Sequence, residues 1–561
     1  LWSMRALFIS IWPGNVMQRD TTKKYYIIHS WLGVVTGILL FIVAYTGAFS
    51  VFGHNELKVW ANEGVRGGVT HDYGAVEDLV KQHASDVGED YLDHIRIMLP
   101  GESSFTRLQI GFEKEVVLES GRHEHHVIVF SHNPKTLALE DTFKGSLNDW
   151  FLNRPQDMAD FMVTFHADLH LGNPWGLVLT GLLGLTLFAS VITGVIIHRK
   201  ILRELFSFRP LRSLRLLFTD THKVLGVWGL LFHGTIAFTG AFLGLVLVLL
   251  VPAAAFVSFS GDQEKLVETF LPEIEPAITG VPAEPRPGDI LTQFRENNPH
   301  VMLIDPNIHG WGDESAIMAI TTLGGDTLAA SETFELSAVT GELQKSYSTF
   351  GKHDSVTGVF LDAMYPLHFG NFGGVFVKVI WSLLGVGTAL LAVTGMMIWI
   401  ERRAYGPEGN LSKAAYHRIS RFTVGSCMGL VVASLTLFYS QLLLRVDAAA
   451  LTYWLGVVFF SSWALVIFYA LFIKNSYQSI KTLFLLCGLL AVGVPVLNAV
   501  ITGDILSLTL FNGKTITAGV DATLLVCGLF CIWASRKLPA KRPDNDSLNV
   551  SNRSIPAEDV A

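Results

Sequence analysis

Residues 221–242 read THKVLGVWGLLFHGTIAFTGAF, and residues 28–49 read IHSWLGVVTGILLFIVAYTGAF. Both open on H-x-x-L-G and close on T-G-A-F. Gly47 follows His29 by 18 positions, and Gly240 follows His222 by 18. A match along a whole apolar segment marks an internal duplication, and the histidine is part of what was duplicated. An apolar helix gains nothing from an imidazole, so His29, His222 and the deeper His233 need a chemical reason.

The composition sets the class. Of 561 residues, 50% are hydrophobic and 16% charged, the balance of a multi-span membrane protein rather than a soluble one. Apolar runs near the ~20 residues a bilayer requires occur at 29–52, 172–197, 222–251, 373–400, 419–443, 453–473, 482–503 and 515–535. These predict eight spans, the last two bounded by Asp504 and Asp521.

Every second connection is basic. Arg19, Lys23 and Lys24 precede the first span; Arg199, Lys200, Arg203, Arg209, Arg212 and Arg215 follow the second. Arg402, Arg403, Lys413, Arg418 and Arg421, then Lys474 and Lys481, then Arg536, Lys537, Lys541 and Arg542 continue the alternation. The positive-inside rule puts both termini in the cytoplasm. The long polar segments 53–165 and 253–365 then lie outside it, and the first span directs insertion without a cleaved signal peptide. The expected order is cytoplasmic N-terminus 1–28, span 29–52, outer domain 53–165, span 166–198, basic loop 199–221, span 222–252, outer domain 253–365, span 366–400, cytoplasmic loop 401–418, four further spans within 419–535, and a cytoplasmic tail 536–561. Cys427, Cys487, Cys527 and Cys531 all fall in the last four spans. They read as packing residues, and no disulfide staples the outer segments.

The duplication runs further. LHLGNPWG (169–176) with TGVIIHRK (193–200) matches LHFGNFGG (367–374) with TGMMIWIERR (394–403). Span, outer segment and span form a unit that occurs twice in one orientation, which predicts a pseudo-two-fold axis along the membrane normal. Each outer segment carries a helix candidate (75–84; 290–299), a strand candidate (105–113; 314–323) and a strand–turn–strand (127–141; 333–345), so two small α+β domains are expected.

The H-x-x-L-G…T-G spans, the L-H-x-G spans ending in a basic pair, and the shape of the outer segments resemble the PepSY-associated transmembrane family over about 25–405. Within it the chain is most similar to the longer iron-regulated inner-membrane members that resemble bacterial ferrisiderophore reductases. The resemblance implies a haem-carrying reductase of the bacterial inner membrane with PepSY-like periplasmic domains. Residues 417–535 lie outside the shared pattern.

Depth sorts the histidines. Eighteen positions at 1.5 Å each span about 27 Å, close to the hydrocarbon thickness. His29, His198 and His222 belong near the cytoplasmic face; His170, His368 and the more deeply placed His233 form the outer tier. Two tiers suit two haems, each held by two neutral imidazoles from different helices. The duplication favours His29 with His222 and His170 with His368 as iron ligands, and span three carrying ligands for both tiers is the variant. His166 shares a face with His170 by its i, i+4 spacing. A lone histidine at a membrane end is ordinarily an interfacial or packing residue, and His417 is read so; repetition at matched depth is what lifts the others above that reading. The T-G pairs and neighbouring glycines read first as close-approach packing positions. RHEHH (122–126) reads as a solvated loop able to touch a metal complex.

No G-x-G-x-x-G stands between a strand and a helix, no P-loop is present, and no C-x-x-C-H occurs. The haem, two per chain, is therefore expected to be b-type and non-covalent. Electrons must come from a quinol, a reduced flavin or a cytoplasmic reductase, and iron enters as substrate in a ferric siderophore or other ferric chelate. No nucleic-acid partner is expected. The alternatives are an iron–siderophore permease and a PepSY-type binding or regulatory protein without redox activity.

Overall fold

The computed structural model describes residues 19–540, apart from 70, 103–104, 118–122, 153, 155, 199–213, 264, 267–273, 324–327, 329–330, 349–355, 406–408, 445 and 474. Arg122, Arg199, Lys200, Arg203, Arg209, Arg212, Lys474, Lys541 and Arg542 lie outside the described residues.

The first membrane helix, α1 (Arg19–Ser50), is unbroken, and a turn at 51–55 leads to a short helix, α2 (Glu56–Ala61). Helix α3 (Tyr73–Asp86) and strands β1 (His94–Met98), β2 (Leu108–Val117), β3 (His123–His132) and β4 (Leu139–Ser146) follow. The chain returns through α4 (Met158–Asp168) into α5 (Trp175–Ile197). The next stretch holds α6 (Leu214–Trp228) and α7 (Leu230–Leu245), which continues helically to Phe259, then α8 (Pro287–Asn297), β5 (Met302–His309), β6 (Ile317–Leu323), β7 (Glu332–Ser337), β8 (Leu343–Ser348), α9 (Val356–Phe369) and α10 (Gly374–Tyr405). Four long helices close the described chain: α11 (Lys413–Leu443), α12 (Ala448–Phe472), α13 (Ser476–Thr502) and α14 (Thr515–Lys537).

Seven helices among the described residues are long and apolar enough to cross a membrane. The chain is a multi-pass helical membrane protein. Where the sequence predicts a straight third span, α6 and α7 are bent by 73° about Gly229, and together they count as an eighth. Hydropathy sees length and oiliness but not direction, so the break is invisible to it. The carbonyl of Leu225 takes the His233 Nε2–H at 3.1 Å as well as the Gly229 N–H at 3.0 Å. His233 Nδ1 lies 2.9 Å from the Thr388 hydroxyl. A buried imidazole therefore bridges the bend to α10.

The two polar segments do not make separate sheets. They share one eight-stranded antiparallel sheet in the order β4-β3-β2-β1-β5-β6-β7-β8. The seam is β1 against β5, pairing His94 with His309, Ile95 with Ile308 and Arg96 with Asn307. One face is apolar by strand alternation: Ile95, Ile97, Ile110, Phe112, Ile308, Met318 and Ile320 pack under α3 and α8. Gly288 lets these two helices approach, since a Cβ there would meet the Tyr73 carbonyl at 2.4 Å. Cys427 and Cys487 are buried, Cys531 is half-buried and Cys527 is exposed.

Candidate functional site: two imidazole pairs

Each of four Thr-Gly steps in the membrane helices seats one histidine. On α5, His29 donates from Nδ1 to the Ser190 carbonyl at 3.0 Å, with Thr193 Oγ1 at 3.2 Å. On α10, His222 donates from Nδ1 to the Leu391 carbonyl at 3.1 Å, with Thr394 Oγ1 also at 3.1 Å. On α1, His166 donates from Nδ1 to the Val43 carbonyl at 2.9 Å, with Thr46 Oγ1 at 3.4 Å. On α7, Thr239 Oγ1 lies 3.0 Å from Nδ1 of His368.

The threonine protons are committed elsewhere. Thr46, Thr193, Thr239 and Thr394 donate to carbonyls of their own helices at 2.8, 2.7, 2.8 and 2.8 Å. Each hydroxyl oxygen is then an acceptor, which places the imidazole proton on Nδ1 and leaves the lone pair on Nε2. Among the described residues no group hydrogen-bonds Nε2 of any of the four. The glycine of each step makes the room. A Cβ on Gly47 would meet His166 Cε1 at 2.7 Å; on Gly240, His368 at 3.1 Å; on Gly395, His222 at 3.3 Å; on Gly194, His29 at 3.4 Å.

Seating stays within each half of the sequence; pairing crosses between them. His29 and His222 face each other with ring centroids 6.2 Å apart and planes at 83°. His166 and His368 stand 6.1 Å apart at 25°. Because α1 is continuous from His29 to Gly47, the two pairs are separated by about 27 Å of helix. The first pair is distal to the sheet and the second proximal to it. Gly33 and Gly226 lie one turn beyond His29 and His222: a Cβ on Gly33 meets nothing within 4 Å, and one on Gly226 meets only Leu391 at 3.7 Å. Space is therefore open at Gly33, one turn from the distal pair.

His170, the expected partner of His368, is not the imidazole beside it. Helix α4 ends at Asp168, and Leu169 and His170 both take left-handed backbone (φ 57° and 55°). That turn swings His170 off the face that carries His166. Its ring packs 4.3 Å from Phe161 and 5.6 Å from Phe165, with Nε2 buried and unbonded. His198 caps the C-terminus of α5, its N–H bonded to the Gly194 carbonyl at 3.2 Å. His233 has both ring nitrogens engaged at the bend.

Buried charge fixes the helices around the proximal pair. Lys58 of α2 binds Asp160 of α4 and lies 3.4 Å from Asp157, while Glu56 accepts from Lys378 of α10 at 2.8 Å. Sequence reading missed these braces and ranked His166 below His170. The signal that could have found His166 is the set of repeat-related T-G steps at 46–47, 193–194, 239–240 and 394–395, matched against the histidines near their depth.

On the sheet, His125 of the RHEHH stretch lies 2.8 Å from Glu113. Glu113 also accepts from Arg96 at 3.0 Å, and Arg96 reaches Asp305 at 3.1 Å. His94 and His309 stack at 4.4 Å across the seam. Burial, with Arg96 beside it, presses His94 down to about 2, and the same causes press His309 down to about 4. Among the described residues no three His, Cys, Asp or Glu side chains are grouped to hold a metal ion.

Residues 26–402 match the family described as the PepSY-associated TM region. An uncharacterized protein of Pseudomonas aeruginosa is 26% identical over 390 residues, covering 66% of this chain and 93% of the relative. The family match takes in both imidazole pairs, all four seats and the sheet, and leaves α11–α14 outside it.

Proposed function

The chain belongs to the PepSY-associated TM family, and on that premise we propose that it is a haem-carrying membrane reductase of ferric chelates. The observation that carries this reading is the pair of imidazole pairs, 6.2 and 6.1 Å between ring centroids. A metal bonded to a ring nitrogen at about 2.0 Å lies roughly 3 Å from that ring's centroid, so two such rings stand about 6 Å apart. Two imidazoles are too few for a protein-only zinc site, which takes about four ligands. They would supply the two donors that an iron already bound by a porphyrin still lacks. Open space at Gly33 beside the distal pair fits a flat macrocycle.

His29 with His222, and His166 with His368, would hold the two haems. When bound, haem supplies a one-electron Fe(III)/Fe(II) couple. The chain's own work is placement. Each seat holds Nδ1–H against a carbonyl or hydroxyl, which fixes the tautomer, sets the ring's direction and raises the basicity of Nε2. Electrons from a quinol, a reduced flavin or a cytoplasmic reductase enter at the sheet-distal side. Ferric siderophore or another ferric chelate takes them on the sheet side. The basic loops support an inner-membrane orientation with both termini cytoplasmic and the sheet periplasmic. The matched seats support reading the two halves as copies, with PepSY-like segments 53–165 and 253–365 each giving the sheet four strands.

The bend at Gly229 is the one feature that favours the permease reading, since broken helices line transporter sites. Colour separates the two. Purified protein should show a b-type reduced spectrum and a pyridine haemochrome equivalent to about two haems per chain. A folded, colourless preparation reconstituted with haemin and still failing to take it up would sink the reductase.

A further inference from the structure

The sheet-proximal pair has a route to the surface. Helix α9 ends on Phe369, directly after His368, and Gly370 turns the chain with φ 68°. The Trp381 indole donates to the Leu367 carbonyl at 3.0 Å and pins that end. The Phe369 ring then meets three others. His368 lies edge-on at 5.5 Å, His54 edge-on at 5.5 Å, and Tyr365 stacks at 6.1 Å. His54, in the turn after α1, is exposed, and Tyr365 is 40% exposed. One aromatic ring thus stands between a paired imidazole and two rings with polar tips on the sheet side.

The neighbouring charges are already satisfied. Glu56 holds Lys378 at 2.8 Å, and Lys58 holds Asp160. Neither the His54 imidazole nor the Tyr365 hydroxyl makes a hydrogen bond among the described residues. What this surface offers a ligand is therefore an imidazole and a phenol, both able to donate and accept, over aromatic faces. Aromatic residues do gather at membrane interfaces as anchors, but an anchor has no need to touch a ring that packs on His368.

The geometry points to His54 and Tyr365 as the docking site of the electron acceptor, a ferric chelate whose carboxylate, hydroxamate or catecholate oxygens meet those two side chains, with the Phe369 ring between them and His368 as the electron's path. This rests on the reading that the proximal pair holds redox iron. The step would move one electron: iron held at the proximal pair would give it up, chelated Fe(III) would accept it and become Fe(II), and no bond would form or break. Electron transfer weakens steeply with distance, so docking one ring away from His368 is what makes the site competent.

The test uses the full-length protein and redox-inert gallium(III) complexes of citrate, desferrioxamine and enterobactin, one for each donor class, with binding measured by equilibrium dialysis. The wild type should bind at least one, and the double variant His54→Ala/Tyr365→Ala should bind it about tenfold or more weakly. Phe369→Leu should bind gallium within about twofold of wild type. In the same variant, single-turnover reoxidation of the dithionite-reduced protein by the matching Fe(III) chelate should slow about tenfold. Haem content and spectra of all variants should equal wild type. Wild type that binds none of the three complexes, or a double variant that binds as tightly as wild type, overturns the site. A colourless wild type sinks the haem reading instead, and gallium binding then still decides for or against the docking surface.

Discussion

His166 and His368 stand 6.1 Å apart with ring planes at 25°, His166 seated by the Thr-Gly step of α1 and His368 by that of α7. Neither contact is local in sequence, so the pair reports the assembled fold rather than a single helix. It also divides the histidines sharply. His222→Ala and His166→Ala should each lower haem content from about two per chain to about one, the first removing the distal cofactor and the second the proximal. His170→Ala should leave the count unchanged, because its ring packs among phenylalanines. Pyridine haemochrome on the three purified variants checks this, and haem loss in His170→Ala alone would reverse the assignment.

The glycines differ in how much room they leave. A methyl at Gly47 would sit 2.7 Å from the His166 ring, whereas one at Gly194 would sit 3.4 Å from that of His29. The first must push the imidazole aside and the second is ordinary contact. Gly47→Ala should cost the proximal haem, and Gly194→Ala should keep both. Since alanine improves an exposed helix by about 1 kcal/mol over glycine, a loss at Gly47 cannot be laid on the helix itself.

Thr239 supplies the one hydrogen bond of His368 Nδ1 among the described residues, at 3.0 Å. Thr193 shares its task with the Ser190 carbonyl at 3.0 Å. Thr239→Val should therefore weaken retention of the proximal haem by about tenfold or more, the usual cost of removing such a supporting partner. Thr193→Val should change the distal haem far less. Haem transfer to apomyoglobin, followed for both variants, measures the difference.

The His94–His309 stack makes the sheet sensitive to acid. Burial and Arg96 hold His309 down to about 4 from an ordinary 6.5, and His94 lower still. The unfolded chain takes up protons near 6.5 that the folded sheet refuses, so stability is full above that pH and falls as pH drops toward 4. The urea midpoint at pH 5 should lie below that at pH 7.5, and His94→Gln should flatten the difference. A midpoint that rises on acidification would contradict the placement of these rings.

Helices α11–α14 are tied to the rest through Arg66, which donates to Asp504 at 3.0 Å, Asn498 at 2.9 Å and the Trp60 carbonyl at 2.8 Å. Arg66→Met leaves the buried Asp504 with Lys514 alone and should cost about 3 kcal/mol. Arg66→Met/Asp504→Leu should recover much of it. Thermal denaturation of the two variants, with haem content as the second reading, tells whether these helices only brace the bundle.

How much of this is legible in the sequence follows from which interactions are periodic. The repeated H-x-x-L-G and T-G-A-F ends fix the spans, their depths and the match of His29 with His222, because helical rise converts spacing directly into height. The partner of His368 is not legible that way. Aligning LHLGN with LHFGN selects His170, but two left-handed residues end α4 early and hand the place to His166. The T-G steps read as packing glycines, since a hydrogen bond from a distant imidazole leaves no periodic trace. The single sheet is hidden for the same reason: the pairing of His94 with His309 joins strands far apart in the chain. Gly229 looks like any membrane glycine until the bend is seen.

The β1–β5 seam has a mechanical consequence. It stitches the first half of the chain to the second above the bundle, and His166 with His368 and His29 with His222 lie across the same division at two levels below. Swinging one half away from the other would have to tear backbone bonds at the top and part both imidazole couples at once. With iron held between each pair, the halves would be fastened at three heights, and the fixed internal distances would suit a wire rather than a rocking gate.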